Sequence, residues 1–236
     1  MASAVEIKIL STTAMKMVFE ELAPRFEHET GNRFSVSLGP SLVLEKRLLD
    51  GEAADVAIVT GPGAKELVER GKLVAGSLVE VARSLIGVAV PKGAPRPDLS
   101  SVDGFKRDLL AAKSIALSKP VGGGASGAHM AKVFEELGIT EAMAAKAKYG
   151  AGGAAGLAGL VVLRGEADIG IQQMAELIAV YVDVVGPLPA DIQSATMFTA
   201  GIPVNAAHPA EARAAITFLT TPAAKSVIKA KGLEPA

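Results

Sequence analysis

The 236-residue sequence contains no cysteine. That absence excludes disulfides, thiolate metal sites and cysteine nucleophiles together, and it fits either the cytosol or a bacterial periplasm. Tryptophan is missing too, and only seven Phe and two Tyr supply aromatic rings, too few for a base-stacking surface. Charge of one sign is also lacking: 24 basic residues stand against 25 acidic ones, a net charge of -1. The basic residues are scattered, so no basic face is offered to a phosphate backbone, and a nucleic-acid partner is not expected. No apolar run reaches the roughly 18 residues needed to cross a bilayer. The opening MASAVEIKIL has neither the basic n-region nor the h-region of a signal peptide. The small residues Ala2, Ser3 and Ala4 match the surroundings of a cleavage site, so a mature, exported, periplasmic chain headed by Met1 is expected, its signal peptide removed.

What is present is a steady alternation of strand and helix signals. Val5 to Leu10 reads as a strand, and Met15, Phe19, Leu22 and Phe26 then recur at helical spacing up to a stop at Thr30-Gly31. The same pairing follows at Phe34–Leu38 with a helix starting at Pro40-Ser41, and at Ala54–Val59 with a helix stopped by Gly71. Further strands are read at 83–90, 114–117, around 145–150, 167–172 and 182–189, with helices between them and two amphipathic helices at the end. Repeated β–α units predict parallel-type sheets flanked by helices. Nine or ten units exceed one small sheet, so an α/β chain with two lobes is expected, linked by two crossover strands. Lobe 1 is discontinuous (1–84 and 195–236), lobe 2 is 85–194, and a ligand cleft lies between them.

Two glycine-rich stretches suggest nucleotide motifs and then depart from them. In SKPVGGGASGAHMAK (118–132), Gly122 to Gly127 matches the first part of a P-loop, but Ala128 and His129 replace the lysine and hydroxyl that handle phosphate and Mg²⁺. What survives is a glycine turn into a helix with Ser126 as its expected N-cap, a place that favours any small anion. YGAGGAAGLAGL (149–160) resembles a dinucleotide fingerprint, yet it lies two-thirds along the chain rather than in the first βα turn, and Asp168 opens a strand instead of closing one. No cofactor is expected. Catalytic patterns are thin: His28, His129 and His208 are far apart without metal-ligand spacing, and there is no G-x-S-x-G and no S-x-x-K. No metal site is expected.

Polar residues recur instead at the expected C-terminal ends of strands: Ser11, Thr12, Thr13, Ser41, Thr60, Ser118 and Lys119, Ser126 with Gly127, and Gln172 and Gln173. In open α/β sheets those ends line the ligand crevice, and hydroxyls, amides and helix N-termini hold a small anion without a titratable group. Each could equally be a helix cap; together they read as a binding site. Arg83, placed before an apolar strand, is expected to be buried or half-buried, either as a counter-charge to the ligand or in an ion pair.

Four stretches carry a family resemblance: ELAPRFEHETG (21–31), LGPSLVLEKRLLDGEAADVAIVT (38–60), SLIGVAVPKG (84–93) and AITFLTTPAAKSVIKAKGLEP (215–235). They resemble the type II periplasmic solute-binding proteins of ABC importers, in the molybdate-binding branch, and the similarity covers most of the chain. The resemblance implies a Venus-flytrap fold, a monomer, a small anionic ligand captured by lobe closure, and a membrane permease as partner. It also implies ligand residues: Ser41 matches one family serine, while Ala14 stands where the family has another and Gln172 where it has a tyrosine. A carboxylate suits this set as well as an oxyanion does. The same branch includes a periplasmic aconitate isomerase. On that alternative, acid–base chemistry would fall to His129, Lys119 or a carboxylate, with Arg83 and Lys119 as the cations; on the transport reading no catalytic residue is needed.

Overall fold

A computed structural model describes residues 4–121, 124–150 and 157–236. The chain divides into two compact units, one made of the residues up to Arg83 with Thr196–Ala236, the other of Ser84–Ala195. The strands and helices alternate as the periodicity predicts.

In the first unit, β1 (Glu6–Thr12) is flanked in parallel by β2 (Arg33–Gly39) and β3 (Val56–Thr60), and β9 (Ala195–Gly201) runs antiparallel to β3. Ile7, Ile9 and Leu10 are fully or nearly fully buried, as the central strand of a sheet covered on both faces requires. Helix α1 (Lys16–Thr30) turns Val18, Phe19, Leu22 and Phe26 inwards and ends at Gly31, whose φ of 75° is the left-handed cap that a glycine adopts without cost. The Phe26 ring stacks on Phe34 of β2 at 4.1 Å and meets Phe218 of α9 (Pro209–Leu219) edge-on at 5.1 Å. This aromatic contact ties the C-terminal segment back to the first strands. Helices α2 (Ser41–Leu49), α3 (Gly61–Glu69) and α10 (Pro222–Ala230) complete the unit. Buried Asp55 fixes its register: one carboxylate oxygen accepts from Lys8 N at 2.9 Å and the other from His208 N at 2.8 Å.

In the second unit, β5 (Ile115–Leu117) lies in parallel between β6 (Ala147–Tyr149) and β7 (Ile169–Gln173). The later part of β4 (Val79–Val90) runs antiparallel to β7 on one side and to β8 (Asp183–Pro187) on the other. Helices α4 (Val102–Ala111), α5 (Ala125–Glu136), α6 (Thr140–Ala144), α7 (Ala158–Leu163) and α8 (Met174–Ile178) surround this sheet. Phe105, Leu109, Met130, Val133 and Phe134 close over Ile86, Val88, Ile115 and Ile171. The Gln193 side-chain amide accepts from Ile86 N and donates to Ile86 O, both at 2.9 Å.

Three expectations change. Both sheets are mixed rather than wholly parallel, because β9 runs against β3 in the first and β4 runs against β7 and β8 in the second. Strand β4 begins at Val79, before the 83–90 run. A short β10 (Glu234–Pro235) pairs with β4 after the last helix.

Candidate functional site

Register decides which residues meet. In the first unit Thr12 lies opposite Gly39 and Ser11 opposite Ile58, so the ends of β1, β2 and β3 open on one edge. That edge gathers Ser11, Thr12, Thr13 and Ser41, all buried, with buried Thr199 on β9 opposite Val59. The Thr12 side chain does not cap the 3₁₀ turn that follows it, and α2 starts after Pro40, which has no side-chain cap to offer. Ser41 therefore stands in the first turn of a helix whose leading amides lack a side-chain acceptor, a setting favourable to an anion. Thr60 differs. Its hydroxyl accepts from Gly63 N at 3.3 Å to cap α3 and donates to Glu45 Oε1 at 3.2 Å. Burial raises the Glu45 carboxyl above its ordinary pKa, against the Thr60 hydrogen bond, with Glu66 adding repulsion. A Cβ on Gly63 would lie 2.0 Å from the Glu45 carboxylate, so glycine is what lets that side chain lean across the helix start.

In the second unit Leu117 lies opposite both Tyr149 and Ile171, so Ser118 and Lys119, Gly150, and Gln172 with Gln173 share an edge. Gly150 N donates to Leu117 O at 3.2 Å, which closes that edge between β5 and β6. The cap expected of Ser126 is not found. The N-cap is Gly124 with φ 152°, a backbone that glycine adopts readily, so α5 begins before Ser126 and leaves it buried inside the first turn. Gly127 allows a close approach: a Cβ there would stand 2.4 and 2.5 Å from the carbonyl oxygens of Lys119 and Ser118. The start of α5 thus lies directly on the chain leaving β5. Lys119 is exposed. Gly122 and Gly123 of the first glycine stretch, and Gly152 and Gly153 of the second, lie outside the described residues.

Two sequence candidates are otherwise engaged. Arg83 is not buried: its side chain is 51% exposed and pairs with Glu234 of β10 through a 2.6 Å hydrogen bond from Nε. The register of β10 on β4 places Glu234 opposite Arg83, and that pairing supplies the partner a buried arginine would have sought in a ligand. His129 Nε2 donates to Ile192 O at 2.8 Å, anchoring α5 to the segment before β9.

One residue was missed. Gln172 Oε1 accepts from Gly159 N at 3.3 Å, which leaves its NH₂ to donate to the Glu176 carboxyl in α8. Protein encloses that carboxyl and pushes it up to about 7, against the hydrogen bond from Gln172, although the residue keeps some surface open. A signal was present: between Asp168 and Asp183, Glu176 is the lone charge in an otherwise apolar and amide-bearing stretch. Among the described residues no group of three or more His, Asp or Glu is placed to hold a metal ion, and no helix is long and apolar enough to cross a membrane.

The model of the bacterial extracellular solute-binding protein family matches residues 7–234. The chain is 34% identical to an aconitate isomerase of Pseudomonas sp. over 236 residues, 97% of this chain and 87% of that protein. It is 27% identical to a molybdate-binding protein of Azotobacter vinelandii, over 98% of this chain and 90% of that one. The solved periplasmic molybdate-binding protein of Azotobacter vinelandii superposes with a TM-score of 0.80 at 22% identity, covering 96% of this chain and 98% of that one, so the fold is that of the two-lobed periplasmic binding proteins. With the family model spanning nearly the whole chain, the protein belongs to the bacterial extracellular solute-binding proteins.

Proposed function

We propose that this protein captures a small carboxylate-bearing anion in the periplasm and presents it to the permease of an ABC importer, ligand binding shifting the population towards a closed conformer. One observation carries the reading: in each unit, buried hydroxyls or amides collect at the C-terminal ends of parallel strands, beside a helix start without a side-chain cap. Ser41, Thr12 and Thr13 serve as donors in the first unit, and Ser126, Gln172 and the first turn of α5 in the second. A carboxylate oxygen accepts from hydroxyls and amides as readily as a metal oxyanion does. Ala14 and Gln172, where the branch carries serine and tyrosine, support a ligand other than molybdate.

The test is a thermal-shift screen with molybdate, tungstate, sulfate, phosphate and a series of di- and tricarboxylates. A ligand at one hundred times its Kd adds about 2.7 kcal/mol, several degrees for a chain of this size. Shifts with carboxylates alone support the proposal. Shifts with molybdate and tungstate alone would replace the carboxylate with an oxyanion, and silence from every anion would remove the anion site altogether.

A second reading has a specific observation behind it. The relative at 34% identity is an isomerase of a tricarboxylate and matches nearly the full chain. On this reading the bound polycarboxylate is not only carried but rearranged, and an NMR assay of cis- and trans-aconitate interconversion separates the two.

A further inference from the structure

Resting on the isomerase reading, we infer that Glu176 is the acid–base residue of an allylic proton shift on an unsaturated polycarboxylate, with Gln172 as the residue that positions its carboxyl. Glu176 sits in α8 immediately beyond the end of β7, in the same strand-end group as Gln172 and Gln173. Helix α8 packs against β7, β8 and α7. Neither β7 nor α7 carries a titratable side chain, α8 carries no other, and β8 carries only Asp183, which is bonded to Arg96 at 2.6 Å. The carboxyl therefore has an amide neighbour and no cation on any of these elements. Buried Asp55, by contrast, accepts two backbone N–H groups, an arrangement that explains itself as architecture.

The orientation of Gln172 follows from Gly159. Because Gly159 N–H donates to Oε1, the amide presents its NH₂ to Glu176 and holds the carboxyl in one place. Gly159 can do this only without a side chain: a Cβ would stand 2.6 Å from Val180. Burial keeps the carboxyl titrating near neutrality, so the same group can accept a proton and return it. Of the groups expected from the sequence, His129 is held by Ile192 O, and Lys119, exposed beside the start of α5, suits a substrate carboxylate better than a proton.

The step balances without oxidant or metal. Ionised Glu176 takes a proton from the methylene carbon that lies between a carboxylate and the C=C bond. The C–H electron pair forms a new C=C bond to the central carbon, and the former double-bond pair takes the proton back from Glu176 at the far carbon. The double bond has moved one position, which converts one geometric isomer of an aconitate-type substrate into the other. Glu176 ends ionised, as it began.

The experiment follows trans-aconitate with the full chain in D₂O by ¹H NMR, alongside binding of both aconitate isomers by calorimetry. Wild type is expected to interconvert the isomers, with a rate that rises tenfold per pH unit and levels off near pH 7. Glu176→Gln, isosteric and uncharged, should bind within a few-fold of wild type and lose interconversion by about 10²–10⁴-fold. Gln172→Leu should move the rising limb to higher pH, since it removes the bond that favours the ionised carboxyl; a merely structural role for Gln172 would lower the rate without moving the limb. Interconversion that survives in Glu176→Gln within threefold, or a wild-type rate flat from pH 5 to 9, overturns the assignment. Aconitate that binds wild type without interconversion also overturns it and leaves anion capture standing. Failure of both isomers to bind overturns the tricarboxylate ligand itself, and the base with it.

Discussion

The Glu176 carboxyl accepts a hydrogen bond from the side-chain amide of Gln172, four residues earlier, across the junction of β7 and α8. Its titration near 7 rather than at the ordinary 4.5 makes folding pH-dependent with a definite sign. Below about 4.5 the group is neutral folded or unfolded and costs nothing. As pH rises towards 7 the unfolded chain ionises first, so stability falls, and above 7 the loss is complete at about 3 kcal/mol. Glu176→Gln should therefore be more stable than wild type at pH 8 by up to about 3 kcal/mol and gain nothing at pH 4.5. Urea unfolding at the two pH values checks this, and a gain of equal size at both would assign the effect to packing instead.

Asp55→Ala should destabilise where Glu176→Gln stabilises. The two Asp55 oxygens satisfy the backbone donors of Lys8 and His208, both only partly buried, so the substitution should cost about 2 kcal/mol. Denaturant titration of the variant reads it directly. A cost below 1 kcal/mol would mean that water or another acceptor reaches these amides.

Gly127→Ala places a methyl against the Lys119 and Ser118 carbonyls, which are backbone and cannot swing aside. The start of α5 must move, at a cost of about 1–3 kcal/mol. Because that turn is part of the proposed anion site, the thermal shift produced by a bound carboxylate should shrink as well. A variant that melts early but keeps the full ligand shift would remove α5 from the site.

Arg83→Ala breaks only an exposed pair with Glu234. Stability should change by less than about 1 kcal/mol, and carboxylate affinity should stay within twofold by calorimetry. A tenfold loss of affinity would return Arg83 to the ligand.

Much of this architecture was legible because its signals are local. The apolar spacing of Phe19, Leu22 and Phe26 and the stop at Gly31 locate α1, and the hydroxyls after the first two strands do lie on one edge. What escaped depends on chain direction and distant partners. An antiparallel strand buried on both faces, such as β9 or the end of β4, carries the same apolar run as a parallel one, so mixed sheets look parallel in sequence. Arg83 finds Glu234, 151 residues away. Ser126 is a good cap residue overtaken by a glycine two positions earlier that bends into a conformation serine avoids. Glu176 acquires its importance only when α7 and β7 bring Gly159 and Gln172 together around it.

The Gln193 side-chain amide accepts from Ile86 N and donates to Ile86 O, and Leu188 N reaches the same carbonyl at 3.0 Å. Ile86 is fully buried on β4, so no water is at hand to take over these bonds. One side chain thus works as a clasp that holds the segment before β9 to the interior of the second unit's sheet. Cutting it would leave the Ile86 N–H without that acceptor in the core, where an unanswered backbone donor is costly.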